Sequence, residues 1–143
     1  ALLDCFPPLE RVVLTANGNL QRVVSSYYNS AVTVSIVRCA ETEAGSGVYD
    51  REVTLSVGDR PFCTARSLVV LHSDACRAAV DTGAAGIGQL FRHLDTLPSF
   101  ALLNAGRRCG GGFWRLYDLR SRHLSCRIYE EFPRDLFELP RDG

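Results

Sequence analysis

The alternation of apolar and polar residues across positions 49–71 constrains the fold of this chain more than any other feature. Apolar side chains recur at every second position from 53 to 57, the pair Gly58-Asp59 follows, and a second apolar run reaches residue 71. Successive side chains of a strand point to opposite faces of a sheet, and a Gly-Asp pair suits a tight turn between two strands. The segment therefore predicts a β-hairpin.

Arg66 is the unusual residue of this hairpin. Counted in steps of two, it falls on the same face of the second strand as Phe62, Leu68 and Val70. A guanidinium cannot lose its proton in a protein, so a buried arginine requires an anion beside it. We expect this partner to be a carboxylate, either from the chain, as a structural ion pair, or from a bound ligand.

The remaining periodicity predicts two further kinds of element. Apolar residues at helical spacing predict a helix over residues 20–28, with Asn17 or Asn19 as its cap, and two shorter helices over 75–80 and 89–94. Strand-like runs occur at 32–38, 100–104, 113–119 and 124–132. The connections among the last three are too short for helical crossovers, which favours an antiparallel meander. We predict a single α+β domain over residues 1–143.

The last predicted strand carries a second charged residue on an apolar face. Cys126, Ile128 and Glu130 share one side of this strand, whereas Tyr129 and Glu131 share the other. Glu130 is therefore a candidate partner for Arg66, or for a ligand held between them.

Composition restricts the possible functions. Sixteen basic and sixteen acidic residues give no net charge, so the chain lacks the positive excess typical of nucleic-acid binding. The sequence has no Lys, which excludes Schiff-base chemistry, and no Met, which suggests processing from a longer precursor. No apolar run is long enough to cross a membrane, and no signal peptide is evident.

The six cysteines are scattered and form no C-x-x-C pair, which gives little support to a metal site or a redox dithiol. We expect reduced, mainly buried thiols, with a disulfide as the alternative. The predicted location is intracellular and soluble, either cytoplasmic or organellar, with a plastid possible, and not secreted.

Five short motifs, in this order and over most of the chain, resemble those of the chorismate lyase family. They are Arg51-Glu52 at the start of the hairpin, Gly58-Asp59-Arg60-Pro61-Phe62 at its turn, Ala65-Arg66-Ser67, Ile87-Gly88 with Leu90-Phe91, and Glu130-x-Phe132-Pro133. The resemblance implies one antiparallel sheet of about six strands with helices packed on one side. It also implies removal of pyruvate from chorismate to give 4-hydroxybenzoate, without a metal or an organic cofactor.

The resemblance further implies the site residues. Arg66 matches the arginine that holds the ring carboxylate, and Glu130 matches the glutamate that faces the 4-hydroxyl end of the ring. Glu131 is the alternative to Glu130. Backbone groups at two further places complete the implied substrate site, and by position they fall at Gly18, Asn19, Ile87 and Gly88. A carboxyl in a closed apolar site would have a raised pKa and could donate a proton.

Two functions of other classes remain open. A domain of this fold can bind a small aromatic acid without catalysis, or it can serve as a structural or interaction subunit of a larger assembly. The expected partner is therefore a small aromatic carboxylic acid, chorismate or 4-hydroxybenzoate, and not a nucleic acid.

Overall fold

The computed structural model describes residues 1–74, 77 and 98–140. Within these residues the chain forms two helices and six strands, which are α1 (Pro8–Leu14), α2 (Leu20–Tyr28), β1 (Val32–Glu41), β2 (Val48–Val57), β3 (Arg60–Leu71), β4 (Ser99–Arg107), β5 (Phe113–Arg120) and β6 (Leu124–Phe132). The helix expected over 89–94 and most of that expected over 75–80 lie outside the described residues.

All six strands belong to one antiparallel sheet in the order β1-β2-β3-β6-β5-β4. The predicted α+β class, the β2–β3 hairpin and the β4–β5–β6 meander are confirmed. Gly58 and Asp59 form the hairpin turn between β2 and β3, where Gly58 has a positive φ of 57°. Glycine adopts this conformation without the steric cost that a Cβ atom imposes.

The two faces of the sheet differ in burial. Alternate residues of the four central strands, among them Val53, Ala65, Ile128 and Phe113, are buried, and we call this side the core face. The intervening side chains, such as Glu52, Arg66, Tyr129 and Trp114, form the outer face. This alternation is what an antiparallel sheet with one solvated side requires.

The two described helices pack on the core face. Val13 and Leu14 of α1 and Leu20 and Val24 of α2 are buried within the same hydrophobic cluster as the sheet. The last described residues close this layer, because the Tyr28 hydroxyl donates to the Leu136 carbonyl oxygen. The predicted helix over 20–28 is confirmed. Asn19 is its N-cap by position, but its side chain makes no capping hydrogen bond.

Helix α1 has no counterpart in the sequence prediction. Pro7 is at its N-cap position and Pro8 is its first residue, and a proline at the first helical position is favourable because its missing N–H group would have no partner there. The helix is only seven residues long and contains adjacent valines, which are weak helix formers. It is held by the burial of Val13 and Leu14.

Three register shifts interrupt the strands. One lies in β1 at Val37, one in β4 at Leu103, and one at Phe62 where β3 leaves the hairpin turn. At such a bulge two residues oppose one residue of the partner strand, so the alternation of faces is broken. As a result, the adjacent residues Phe62 and Cys63 are both buried.

The C-terminal end of α2 provides a test of this local structure. Asn29 has φ 49° and ψ 46°, a left-handed conformation that asparagine tolerates better than alanine. We expect Asn29→Ala to lower the free energy of unfolding by about 1 kcal/mol, a Tm decrease of about 3 °C. Asn29→Gly should match or exceed the wild type in thermal denaturation followed by circular dichroism. Equal stability of both variants would contradict the strain argument.

Asp118 on the outer face provides a second test. Its carboxylate accepts hydrogen bonds from Arg127 Nε at 2.9 Å and from Arg120 Nη2 at 3.0 Å. The hydrogen bonds from Arg127 are the main reason that the pKa of Asp118 is lowered. The stabilisation is therefore complete above the unfolded pKa, near 3.8, and is lost as the pH falls through the lower folded pKa.

We expect the unfolding free energy of the wild type to fall more steeply below this pH than that of Asp118→Asn. Asp59→Asn, a change at the exposed β2–β3 turn, serves as the charge-matched control and should retain the wild-type slope. Urea denaturation at a series of acidic pH values measures the difference. Parallel curves for the wild type and Asp118→Asn would show that this carboxylate contributes no acid sensitivity.

Candidate functional site

A charged cluster lies inside the protein on the core face. The Arg115 Nε–H donates to Glu130 Oε1 at 2.6 Å, and the Tyr117 hydroxyl donates to Glu130 Oε2 at 3.2 Å. Arg115 of β5 and Glu130 of β6 lie opposite each other and are only 1% and 4% exposed. The strand register thus brings a cation, an anion and a phenol together away from bulk water.

Arg115 also connects the sheet to the helical layer. Its Nη1 donates to the carbonyl oxygen of Ala16 at 2.8 Å and to that of Leu14 at 3.3 Å, at the end of α1. The guanidinium lies 4.2 Å from the centre of the Tyr117 ring, in cation–π geometry. A buried guanidinium requires several acceptors, and these carbonyl groups supply those that Glu130 does not.

The cluster changes the acidity of its neighbours. Burial raises the pKa of the Tyr117 hydroxyl well above its usual value, and the charge of Glu130 adds to this effect. Burial also raises the pKa of the Cys63 thiol, and Glu130 acts in the same direction. Both groups therefore remain protonated at neutral pH. Tyr117 can donate a hydrogen bond, whereas Cys63 is a poor nucleophile because the thiolate is the reactive form.

A second buried arginine lies on the same face. Arg51 alternates with Val53 and Leu55 on the inner side of β2 and is only 8% exposed. Ser67 faces it directly across β3, and it too is buried. Burial lowers the pKa of the Arg51 guanidinium, an effect that the neighbouring Cys39 partly opposes. Because a guanidinium keeps its proton in proteins, Arg51 is a cation in a partly desolvated environment.

The structure corrects the expectation for Arg66. Its side chain is 70% exposed, and its Nε lies 2.9 Å from Glu52 Oε1 in a surface ion pair. Arg66 is aligned with Tyr129 of β6, whereas Glu130 is aligned with Ala65, so Arg66 and Glu130 point to opposite faces of the sheet. The predicted burial of Arg66 and its pairing with Glu130 are wrong. Counting by two places Phe62 and Arg66 on the same face, but Phe62 is buried because it lies at the bulge. Its burial therefore does not indicate that Arg66 is buried.

The face assigned to Glu130 is confirmed. Cys126, Ile128 and Glu130 are all buried on the core face, and Glu131 lies on the outer side, 3.2 Å from Arg108. The surroundings expected for Glu130 are wrong, however. It contacts a guanidinium and a phenol and does not lie in a purely apolar site.

Gly18 and Asn19 do not join the buried cluster. Gly18 and Asn19 are exposed in the connection between α1 and α2, and the contacts of this region with Arg115 are made by Leu14 and Ala16. Asn19 instead lines an open groove of about 490 Å³ between the two helices and Phe137. The predicted substrate-binding residues Ile87 and Gly88 lie outside the described residues.

Sequence analysis missed two charged residues, Arg51 and Arg115. Each stands at an apolar position of a strand that alternates in steps of two, Arg51 before Val53 and Leu55 and Arg115 between Phe113 and Tyr117. The same period-2 count that selected Glu130 could have found both. Arg51 was noted as part of a motif, but its position on the inner face of β2 was not considered.

The prediction for the cysteines is partly confirmed. Those at positions 5, 39, 63, 109 and 126 are free thiols in the structure. Of these five, only Cys63 and Cys126 are buried, so the expectation of mainly buried thiols is wrong. Cys76 lies outside the described residues.

Within the ranges given above, His, Cys, Asp and Glu form no group of three or more that could hold a metal ion. In the same part of the chain no helix has the length and apolar character needed to span a membrane. No protein-family model matches the sequence, and no curated protein shows significant similarity to it.

The buried ion pair predicts a large difference between two arginines. Arg115→Ala leaves the Glu130 carboxylate buried without its charge partner, and we expect a loss of about 3–5 kcal/mol in the free energy of unfolding. Arg66→Ala removes an exposed ion pair and should cost less than about 1 kcal/mol. Urea denaturation followed by circular dichroism measures both. Equal losses would contradict the role given to Arg115.

Proposed function

We propose that this protein binds a small aromatic carboxylic acid on the core face, with the ligand carboxylate on Arg51 and its opposite polar end near Glu130. The observation that supports this proposal is the presence of two buried, oppositely charged residues on one face of the sheet. A planar guanidinium matches a carboxylate with two parallel hydrogen bonds, and a partly desolvated site strengthens such contacts.

The spacing of these residues suits a ring. Arg51 of β2 lies opposite Ser67 of β3, and Ser67 lies opposite Ile128 of β6. Glu130 is two residues further along β6. Two strand separations and two residues of rise place the Cα atoms of Arg51 and Glu130 about 12 Å apart. In this proposal a small ring spans the separation between the guanidinium and the carboxylate.

The polar groups beside Arg51 and Glu130 favour one orientation of the ligand in the proposed site. Ser67 supplies a hydroxyl next to Arg51, where it can donate to a carboxylate oxygen. Tyr117 and Arg115 hold the Glu130 carboxylate in place, and each of its oxygens retains capacity for a further hydrogen bond. A ligand hydroxyl can donate a hydrogen bond to either carboxylate oxygen of Glu130. A para-substituted hydroxy acid such as 4-hydroxybenzoate therefore fits the proposed arrangement at both ends.

The second candidate function is the elimination of pyruvate from chorismate, the reaction that the resemblance implies. The observation that favours it is the fixed position of the Glu130 carboxylate, since Arg115 holds one of its oxygens and Tyr117 the other, and a positioned carboxylate can act as a general base. In this proposal Glu130 takes the proton from the ring carbon that carries the hydroxyl group. The ether C–O bond then breaks, and the ring becomes aromatic.

The leaving group of this step is enolpyruvate, which takes up a proton to become pyruvate. The overall reaction changes no net oxidation state, so it needs no external oxidant or reductant. The roles of the two charged residues are separate. Arg51 positions the substrate through its carboxylate, and Glu130 carries out the proton transfer, which is the role of a general base rather than of the proton donor first expected.

The binding proposal predicts that Arg51 matters and Arg66 does not. We expect Arg51→Gln to weaken 4-hydroxybenzoate binding by about 10- to 100-fold, the effect of losing a charged hydrogen bond, while Arg66→Gln changes it less than twofold. Isothermal titration calorimetry measures the two affinities, with circular dichroism to verify folding. 4-Hydroxybenzamide, which lacks the negative charge, should bind the wild type and Arg51→Gln equally weakly. The opposite ranking of the two arginines would place the ligand on the outer face.

The catalytic proposal is tested separately by mixing the purified protein with chorismate and following pyruvate release. We expect turnover by the wild type, with Glu130→Gln lowering kcat by at least about 100-fold, the usual contribution of a general base. Arg66→Gln, a change on the outer face, is the control and should retain the wild-type turnover. Binding of 4-hydroxybenzoate without pyruvate release would leave a binding domain. The absence of both binding and pyruvate release would favour an interaction subunit.

A further inference from the structure

The outer face of the sheet has the composition of a protein interface. Trp114, Leu116, Tyr129 and Leu68 occupy adjacent positions on β5, β6 and β3, and Leu68 is 46% exposed. Protein interfaces are enriched in tryptophan, tyrosine and arginine relative to the remaining surface. The same face carries five arginines, which are Arg38, Arg66, Arg108, Arg120 and Arg127. The aromatic residues are at its centre, as in interfaces where a few large side chains provide most of the binding energy.

The tryptophan is held in a defined position. A Cβ atom placed on Gly106 would lie 2.7 Å from three atoms of the Trp114 indole, so the ring rests directly on the glycine backbone of β4. On its other side, the Tyr129 ring centre lies 5.7 Å from that of Trp114. Fixing a large side chain before association reduces the entropy lost on binding.

The ion pairs of this face contain five arginines and four acidic residues, and this mixture favours a partner that carries both signs. Each acidic residue has an arginine within 3.2 Å, and the pairs are Arg38–Asp50, Arg66–Glu52, Arg108–Glu131, and Asp118 with both Arg120 and Arg127. A nucleic acid would require an excess of positive charge. A second copy of the same face offers each arginine an acidic residue and each acidic residue an arginine.

The dimensions and edges of the sheet agree with this partner. Six strands about 4.8 Å apart and eight to twelve residues long give a face of about 700–800 Å², close to the area that one partner buries in a standard interface. Edge-to-edge pairing is disfavoured, because the two edge strands β1 and β4 each contain a bulge, at Val37 and Leu103. Face-to-face packing avoids both edges.

We propose that two copies of this chain associate through their outer faces, related by a two-fold axis, with Trp114 and Tyr129 at the centre. In such an isologous contact the same patch serves both partners. The proposal goes beyond the function proposed above and does not depend on it, because the proposed ligand site is on the core face.

The sole tryptophan of the chain allows a direct test without mutation. We expect sedimentation equilibrium to show a dimer, and Trp114 emission to shift to shorter wavelength as the protein concentration rises from micromolar to millimolar. Leu68→Glu should raise the dimer dissociation constant at least about tenfold. Leu9→Glu is the matched control, because Leu9 on α1 is 47% exposed and lies away from the sheet face, and it should retain the wild-type constant.

Three results would overturn the proposal. The first is a wild-type protein that remains a monomer at every concentration with constant Trp114 emission. The second is a dimer that Leu9→Glu weakens and Leu68→Glu does not, which would assign the contact to the helical surface. The third is quenching of Trp114 by a single-stranded oligonucleotide with strong salt dependence, which would identify a nucleic acid as the partner. Arg66→Glu provides a second outer-face variant if Leu68→Glu does not fold.

Discussion

The ion pair between Arg115 and Glu130 joins the two layers of this protein. Arg115 reaches from the sheet to the carbonyl oxygens of Leu14 and Ala16, so a single guanidinium contacts β6 and the end of α1. A buried ion pair contributes little net stability, because desolvation offsets most of the attraction. Its effect is on specificity. Any other placement of α1 would leave buried polar groups without partners.

The same pair determines what the core face can do chemically. Glu130 is fixed by Arg115 and Tyr117, and Tyr117 and Cys63 remain protonated because burial and the nearby carboxylate raise the pKa of each group. The face thus holds one carboxylate in a fixed orientation, and Arg51 lies further along it. This combination underlies the proposed binding of an aromatic acid. The outer face has half-buried aromatic rings and paired surface charges, which suit protein association.

Much of the fold could be predicted from the sequence because its signals are local. The helical stripe at positions 20–28 and the alternation in the hairpin each depend on residues a few positions apart, and the structure places elements at both. Helix α1 was missed because its own residues favour helix only weakly, and it exists through the burial of Val13 and Leu14. The short connections between the last three strands were sufficient to predict the antiparallel meander.

The candidate site could be predicted only in part. Glu130 was found because β6 alternates regularly to its end, so counting by two gives the correct face. Arg66 was placed on the wrong face because the bulge at Phe62 interrupts the alternation of β3, and a bulge depends on the register with β2. Arg51 and Arg115 occupy inward positions that the count could have reached.

The sequence by itself determined the helix over residues 20–28, the strands of the hairpin and meander, the antiparallel class of the sheet and the inward position of Glu130, because each depends on local spacing or on short connections. Only the tertiary structure decided which charges meet. Arg115 and Glu130 are fifteen residues apart, and Arg115 and Ala16 are ninety-nine apart, and their contacts depend on strand register and helix packing. Periodicity assigns a residue to a face, whereas partners across strands and layers are selected by the burial of the whole core.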